Sequence, residues 1–159
     1  RIEVTSELGQ GSTFALYLPY QEVPKEVAER SLSHKKNVDE DKRKNILVVE
    51  DIESNFAQLN ILLNKEYIIS WVRNGQEAIN SFIREKPDLI LMDIRMPIMD
   101  GIQATEKIRA ISLTVPIIAV TAYAFYTEQQ QAIQAGCNAV ISKPYSLERL
   151  KETIESYIG

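Results

Sequence analysis

Asp88-Leu89-Ile90-Leu91-Met92-Asp93-Ile94-Arg95-Met96-Pro97-Ile98-Met99-Asp100-Gly101 decides the fold. Leu89 to Met92 are four consecutive large apolar residues, the composition of a short strand covered on both faces. The run ends on a carboxylate, Asp93, and the breakers Met96-Pro97 and Asp100-Gly101 follow it closely. This places Asp93 at the carboxyl end of a central strand with a tight loop behind it, the edge at which open α/β sheets bind ligands. A lone aspartate in such a place is ordinarily a turn former. What sets Asp93 apart is its company at the ends of the other strands.

Outward from this stretch, strands and helices alternate. Apolar runs lie at Ile46–Val49, Tyr67–Val72, Leu89–Met92, Val115–Val120 and Ala139–Ile141. Between and after them come stripes at helical spacing: Phe56, Leu59 and Leu63; Ala78, Ile79, Phe82 and Ile83; Ile102, Thr105 and Ile108; Leu147, Leu150, Ile154 and Tyr157. One stripe per helix predicts helices packed on a sheet. Asn74-Gly75 opens the second helix, Gly101 the third, and Ser146 caps the fifth. A fourth helix, about Phe125 to Ala135, carries the polar run Thr127-Glu128-Gln129-Gln130-Gln131 and a thin apolar stripe, so it is expected to be the least firmly held. Five βα units with right-handed crossovers give an α/β, doubly wound parallel sheet.

The strand ends then collect the chemistry. The first ends in Glu50-Asp51, the third in Asp93, the fourth in Thr121 and the fifth in Ser142-Lys143-Pro144. In a parallel sheet all carboxyl ends share one edge. Three carboxylates brought together repel one another, and burial raises their pKa values unless a cation compensates. Hard oxygen ligands suit Mg²⁺, while Lys143 and Thr121 suit a transferred phosphoryl group. The plain alternative is a structural ion-pair cluster on the rim.

The 159 residues carry a net charge of −4, and the deficit lies in residues 45–159, with ten basic and fourteen acidic side chains. No basic face for nucleic acid follows from this. Residues 21–44 are dense in charge and poor in apolar side chains, which predicts a linker. They hold the lone histidine, His34, read as solvated. Residues 1–20 alternate, break at Gly9-Gln10-Gly11-Ser12 and alternate again, a hairpin signature. There is no apolar run of membrane length, and the lone Cys137 excludes an internal disulfide and reads as a small buried hydrophobe. Trp71 and the methionines Met92, Met96 and Met99 read as packing.

Residues 45–159 resemble the receiver domain of bacterial two-component response regulators, through Ile46-Leu47-Val48-Val49-Glu50-Asp51, the Asp93–Gly101 loop, Ala119-Val120-Thr121-Ala122 and Ser142-Lys143-Pro144. Residues 1–20 are similar to the end of the ATP-binding domain of sensor histidine kinases, a strand leading through a Gly-x-Gly-Ser-Thr-Phe box into a last strand closing with Leu-Pro. Together the two stretches look like the junction of a hybrid sensor histidine kinase with its receiver, and the upstream ATP-binding parts of such a kinase do not occur in this sequence. The resemblance implies a flavodoxin-like strand order, 2-1-3-4-5, with the site at the switch point between strands one and three. It implies Asp93 as the residue phosphorylated by a phosphohistidine on a kinase partner, with a downstream histidine phosphotransfer protein as a further partner. Asp51 and Asp93 would hold Mg²⁺ with the Arg95 carbonyl, Glu50 would act through water, and Thr121 and Lys143 would hold the phosphoryl group. The Lys143-Pro144 bond is expected cis, and the domain is expected in the cytoplasm, compatible with a parent kinase anchored in the inner membrane.

Two departures stand out. Val140 occupies the position of the usual switch aromatic, with Tyr145 the nearest substitute. Arg95 and Tyr123, two residues beyond Asp93 and Thr121, form a bulky pair expected to slow hydrolysis of the acyl phosphate. A pseudo-receiver that binds partners without phosphorylation is the alternative.

Overall fold

The computed structural model describes residues 1–7, 11–17, 43–122 and 126–159. Two compact units divide the chain, residues 1–37 and 38–159. The first contains an antiparallel hairpin of β1 (Ile2–Glu7) and β2 (Gly11–Leu16), in register from Ile2↔Leu16 to Glu7↔Gly11. Most of the expected linker, with His34, lies outside the described residues.

The second unit is a five-stranded parallel sheet with α-helices between its strands. In chain order it runs β3 (Asn45–Val49), α1 (Glu53–Leu63), β4 (Ile68–Val72), α2 (Gly75–Glu85), β5 (Leu89–Asp93), α3 (Gly101–Ile111), β6 (Ile117–Thr121), α4 (Tyr126–Ala135), β7 (Ala139–Ser142) and α5 (Leu147–Ile158). The strand order is β4-β3-β5-β6-β7, which is the expected 2-1-3-4-5. It reverses between β3 and β5, so the carboxyl ends of those two strands flank the crevice where α/β sheets bind ligands.

The three central strands are buried because both of their faces carry large apolar residues. Leu47, Val49, Ile90, Met92, Ile117 and Ala119 face α2 and α3 in one cluster. Ile46, Val48, Leu89, Leu91, Ile118 and Val120 face α1 and α5 in the other. Burying a side chain of this size contributes about 1.5–3 kcal/mol, so the strand bodies hold the fold. Edge strand β4 is only partly buried, and there Trp71 stacks on Phe56 at 4.3 Å between ring centroids.

Helix starts follow their caps: the side chains of Asn74, Asp100 and Ser146 accept from the backbone N–H three residues on. The helix stripes are narrower than the sequence suggests. Ile83 is 56% exposed, and Leu147 and Tyr157 are also exposed, while Ala78, Phe82, Leu150 and Ile154 do the packing. A residue at the edge of a wide stripe reaches past the sheet it was expected to cover. Strand β6 begins two residues later than the apolar run, because Pro116 offers no N–H to the ladder.

Gly101 brings α3 against β5: a Cβ there would stand 2.1 Å from the Asp93 carbonyl oxygen. The Gly101 N–H donates to the Ile94 carbonyl at 2.9 Å, closing the loop that follows Asp93. Gly136, at φ +108°, makes the turn that leads by Cys137 into β7. Cys137 is buried, and burial pushes its thiol up.

Candidate functional site

Each strand of the crevice delivers its polar residue just where its apolar run stops. Glu50, one residue past β3, is 1% exposed, and its N–H continues the ladder to the Val72 carbonyl at 3.1 Å. Asp93, the last residue of β5, is 8% exposed. Oxygens of Glu50, Asp51 and Asp93 all lie within 4.8 Å of one another. Lys143, in the turn after β7, reaches into this group: Nζ donates to Glu50 Oε2 and to Asp93 Oδ2, both at 2.6 Å. Its own N–H donates to the Thr121 carbonyl at 2.7 Å, and its bond to Pro144 is cis.

The second oxygens of Asp93 and Glu50 are occupied as well. Asp93 Oδ1 accepts from the Arg95 backbone N–H at 3.0 Å, which folds the loop back over the carboxylate. Glu50 Oε1 accepts from Asn55 Nδ2 at 2.9 Å, in the first turn of α1. Thr121, buried at the end of β6, pairs in register with Ser142, one step beyond the Asp93–Val120 pair. A cleft of about 510 Å³ opens beside this group, lined by Asp51, Arg95, Met96, Asp100, Glu128 and Gln131 among others.

Burial raises the Glu50 carboxyl above its ordinary range, against the lowering effect of its bonds to Lys143 and Asn55. For Lys143, burial works to lower the ammonium, yet the hydrogen bonds to Asp93 and Glu50 outweigh it and the pKa is raised. One ammonium against three carboxylates leaves negative charge in excess, so the donor set fits a small divalent cation with hard oxygen ligands. The same rim could hold an anionic group only with such a cation in place.

The sequence profile of the response regulator receiver domain matches residues 46–155. The chain belongs to the response regulator receiver family. Over 119 residues it is 40% identical to the polar-differentiation response regulator DivK of Brucella anthropi, a match covering 73% of this chain and 97% of DivK. Among solved structures, the receiver domain of a sensor histidine kinase from Pseudomonas aeruginosa PAO1, with a magnesium ion coordinated in its active-site cleft, superposes with a TM-score of 0.70 at 37% identity, covering 74% of this chain and 98% of that one. The Saccharomyces cerevisiae receiver domain of Ssk1, crystallised with the histidine phosphotransfer signalling protein Ypd1, matches with a TM-score of 0.68 at 31% identity, covering 72% and 88%. The receiver domain is thus one of two-component signalling and phosphorelay.

Within this receiver domain, close contacts join Glu50, Asp51, Asp93, Lys143 and the Arg95 backbone, and the strand register brings Thr121 to the same rim. Val140 lies on β7 opposite Ala119 and packs against the α2/α3 side of the sheet. Tyr145 is partly buried on the other side, and burial pushes its phenol up. Tyr123 lies outside the described residues. Three participants escape sequence reading: Asn55, Trp71, whose Nε1 donates to the Glu50 carbonyl at 2.8 Å, and Glu128, which pairs with the Arg95 guanidinium across the cleft. Asn55 and Glu128 sit among polar neighbours on helix faces, where nothing distinguishes a site residue from a solvated one.

Proposed function

We propose that Asp93 is the phosphoacceptor of this receiver domain and that Glu50, Asp51, Arg95, Thr121 and Lys143 serve its phosphorylation. The observation that carries this reading is the meeting of three carboxylates within 4.8 Å with an ammonium 2.6 Å from two of them. An Asp93 carboxylate oxygen attacks the phosphorus of a phosphohistidine on a partner kinase domain. The P–O bond forms as the P–N bond breaks, and the imidazole leaves with the electron pair. Asp51, Asp93 and the Arg95 carbonyl, with Glu50 through water, would hold Mg²⁺, which supplies charge neutralisation for the phosphoryl oxygens. Lys143 gives up its contact with Asp93 Oδ2 to pair with the phosphoryl group, and the Thr121 hydroxyl donates to one of its oxygens. Arg95→Ala is expected to shorten the lifetime of the acyl phosphate if the bulky pair with Tyr123 screens it from water.

The same reading places the domain, residues 45–159, downstream of a charged linker, 21–44, in a hybrid sensor kinase of which residues 1–20 are the last hairpin of the ATP-binding domain. The hairpin supports this, because its strand β1 exposes Ile2 and Val4, apolar side chains of the kind a larger sheet covers. Phosphate would arrive from the kinase's histidine and pass to a histidine phosphotransfer protein, in the cytoplasm. Val140 favours a second reading, a binding module that switches without phosphate. Label transfer decides between them: from a phosphohistidine donor, radioactivity is expected to move to this chain in Mg²⁺ and to stay on the donor when a chelator is added. A donor that keeps its label in both conditions would leave the binding module.

A further inference from the structure

Helix α1 starts without the cap that its neighbours have. Asn74, Asp100 and Ser146 bond the first turns of α2, α3 and α5 through their side chains, whereas the N-cap of α1 is Ile52, whose side chain has no polar atom to offer. The step before it, Glu50-Asp51, carries two of the three carboxylates that meet within 4.8 Å. An aromatic side chain from the edge strand holds this step. Trp71 Nε1 donates to the Glu50 carbonyl at 2.8 Å, and the Glu50 N–H donates to the Val72 carbonyl at 3.1 Å, so β4 grips the Glu50 backbone at both its polar atoms. The indole is itself held flat. Phe56, in α1, stacks on it at 4.3 Å with 2° between the ring planes. The Arg73 guanidinium stands 4.5 Å from the ring centroid and donates to Glu53 Oε2 at 3.0 Å, in the first turn of α1. Phe56 and Glu53 both belong to α1, so the stack ties the uncapped helix start to the end of β4 around a single carbonyl.

We propose that Trp71 is a positioning residue for the cation site: its indole, clasped by Phe56 and Arg73, fixes the Glu50 carbonyl and with it the spacing of the Glu50 and Asp51 carboxylates. The inference rests on Glu50, Asp51 and Asp93 forming a Mg²⁺ site. Before a cation binds, the three carboxylates repel one another, and no side-chain cap at Ile52 resists their spreading. A bond that keeps them together in advance spares the cation the cost of gathering them, which raises affinity. The indole N–H is a donor only, so Trp71 offers the cation no ligand atom and acts through the Glu50 backbone.

Calorimetric Mg²⁺ titration of the full chain tests this, with urea melts in chelator measuring stability alongside. Trp71→Phe keeps a ring for Phe56 and Arg73 and removes the N–H. It is expected to raise the Mg²⁺ Kd by about fivefold, the scale of one neutral hydrogen bond. Benzothienylalanine in place of Trp71 puts sulfur where the N–H was, in a ring of the same shape, and is expected to raise the Kd equally; should Trp71→Phe fail to fold, this chain decides alone. Incorporating 5-fluorotryptophan, which keeps the N–H, is expected to leave the Kd unchanged. Ile108→Val, a core change on the other face of the sheet, is expected to lower the urea midpoint and leave the Kd where it was. The positioning role is overturned if the chain without the indole N–H binds Mg²⁺ as the unsubstituted chain does, or if Ile108→Val raises the Kd as much. If Asp51→Asn binds Mg²⁺ as tightly as the unsubstituted chain, the cation site itself falls, and the positioning role with it.

Discussion

The bodies of the central strands and their carboxyl ends are built on opposite terms. Leu89 to Met92 are apolar and fully buried, and one residue later Asp93 is buried as an acid beside two others. The bodies stabilise the fold through burial, whereas the ends concentrate like charge in a dry place and depend on Lys143 to hold it. Stability and chemistry are thus separated along the same strands, by a single step of the chain. Substitutions in the two regions should fall into two classes: those that cost stability and leave the chemistry alone, and those that do the reverse.

The largest expected effect lies in a strand body. Leu91→Ala should cost about 2–5 kcal/mol in a urea melt while the phosphorylation rate of the folded fraction stays unchanged; a slowed rate would break the separation. At the strand ends, Mg²⁺ at a hundredfold over its dissociation constant should add about 2.7 kcal/mol. That gain should disappear in Asp51→Asn, and Trp71 emission, adjacent to Glu50 through its hydrogen bond, should follow the titration. Gly101→Ala straddles the divide, because its Cβ would meet the Asp93 carbonyl at 2.1 Å. It should cost about 1–3 kcal/mol and slow phosphorylation as well, the one variant here expected to do both.

The smallest effect concerns pH. Glu50 holds its proton more tightly in the folded chain than in the unfolded one, because burial raises its carboxyl. Unfolding therefore releases a proton between the ordinary carboxylate range and the raised folded value, so stability contributed by Glu50 falls as pH rises through that window. In chelator, the stability of the unsubstituted chain should drop relative to Glu50→Gln between mildly acidic and neutral buffer. An unchanged difference would mean that Lys143 already neutralises the burial cost.

This division also governs what could be read from the sequence. The strand bodies announced themselves as apolar runs, and with them came the parallel sheet and the edge where Glu50, Asp51, Asp93, Thr121 and Lys143 gather, while the strand order followed from the resemblance to receiver domains. Those residues were legible because each interrupts an apolar run, which makes a polar residue conspicuous. Helix stripes were read too wide at Ile83, Leu147 and Tyr157, since periodicity gives a face but not how far the sheet beneath it extends. Asn55 and Glu128 were illegible for a related reason: each stands on a polar helix surface, and only the approach of another element, β3 or the Asp93 loop, gives it a partner.

The central claim is that the acidic rim exists to place phosphorus on one aspartate. Intact-mass measurement after incubation with Mg²⁺ and a small phosphodonor tests it most directly. A gain of one phosphoryl group by the unsubstituted chain, absent in Asp93→Asn and in chelator, is the predicted result. An unmodified mass, or the same gain in Asp93→Asn, would contradict it.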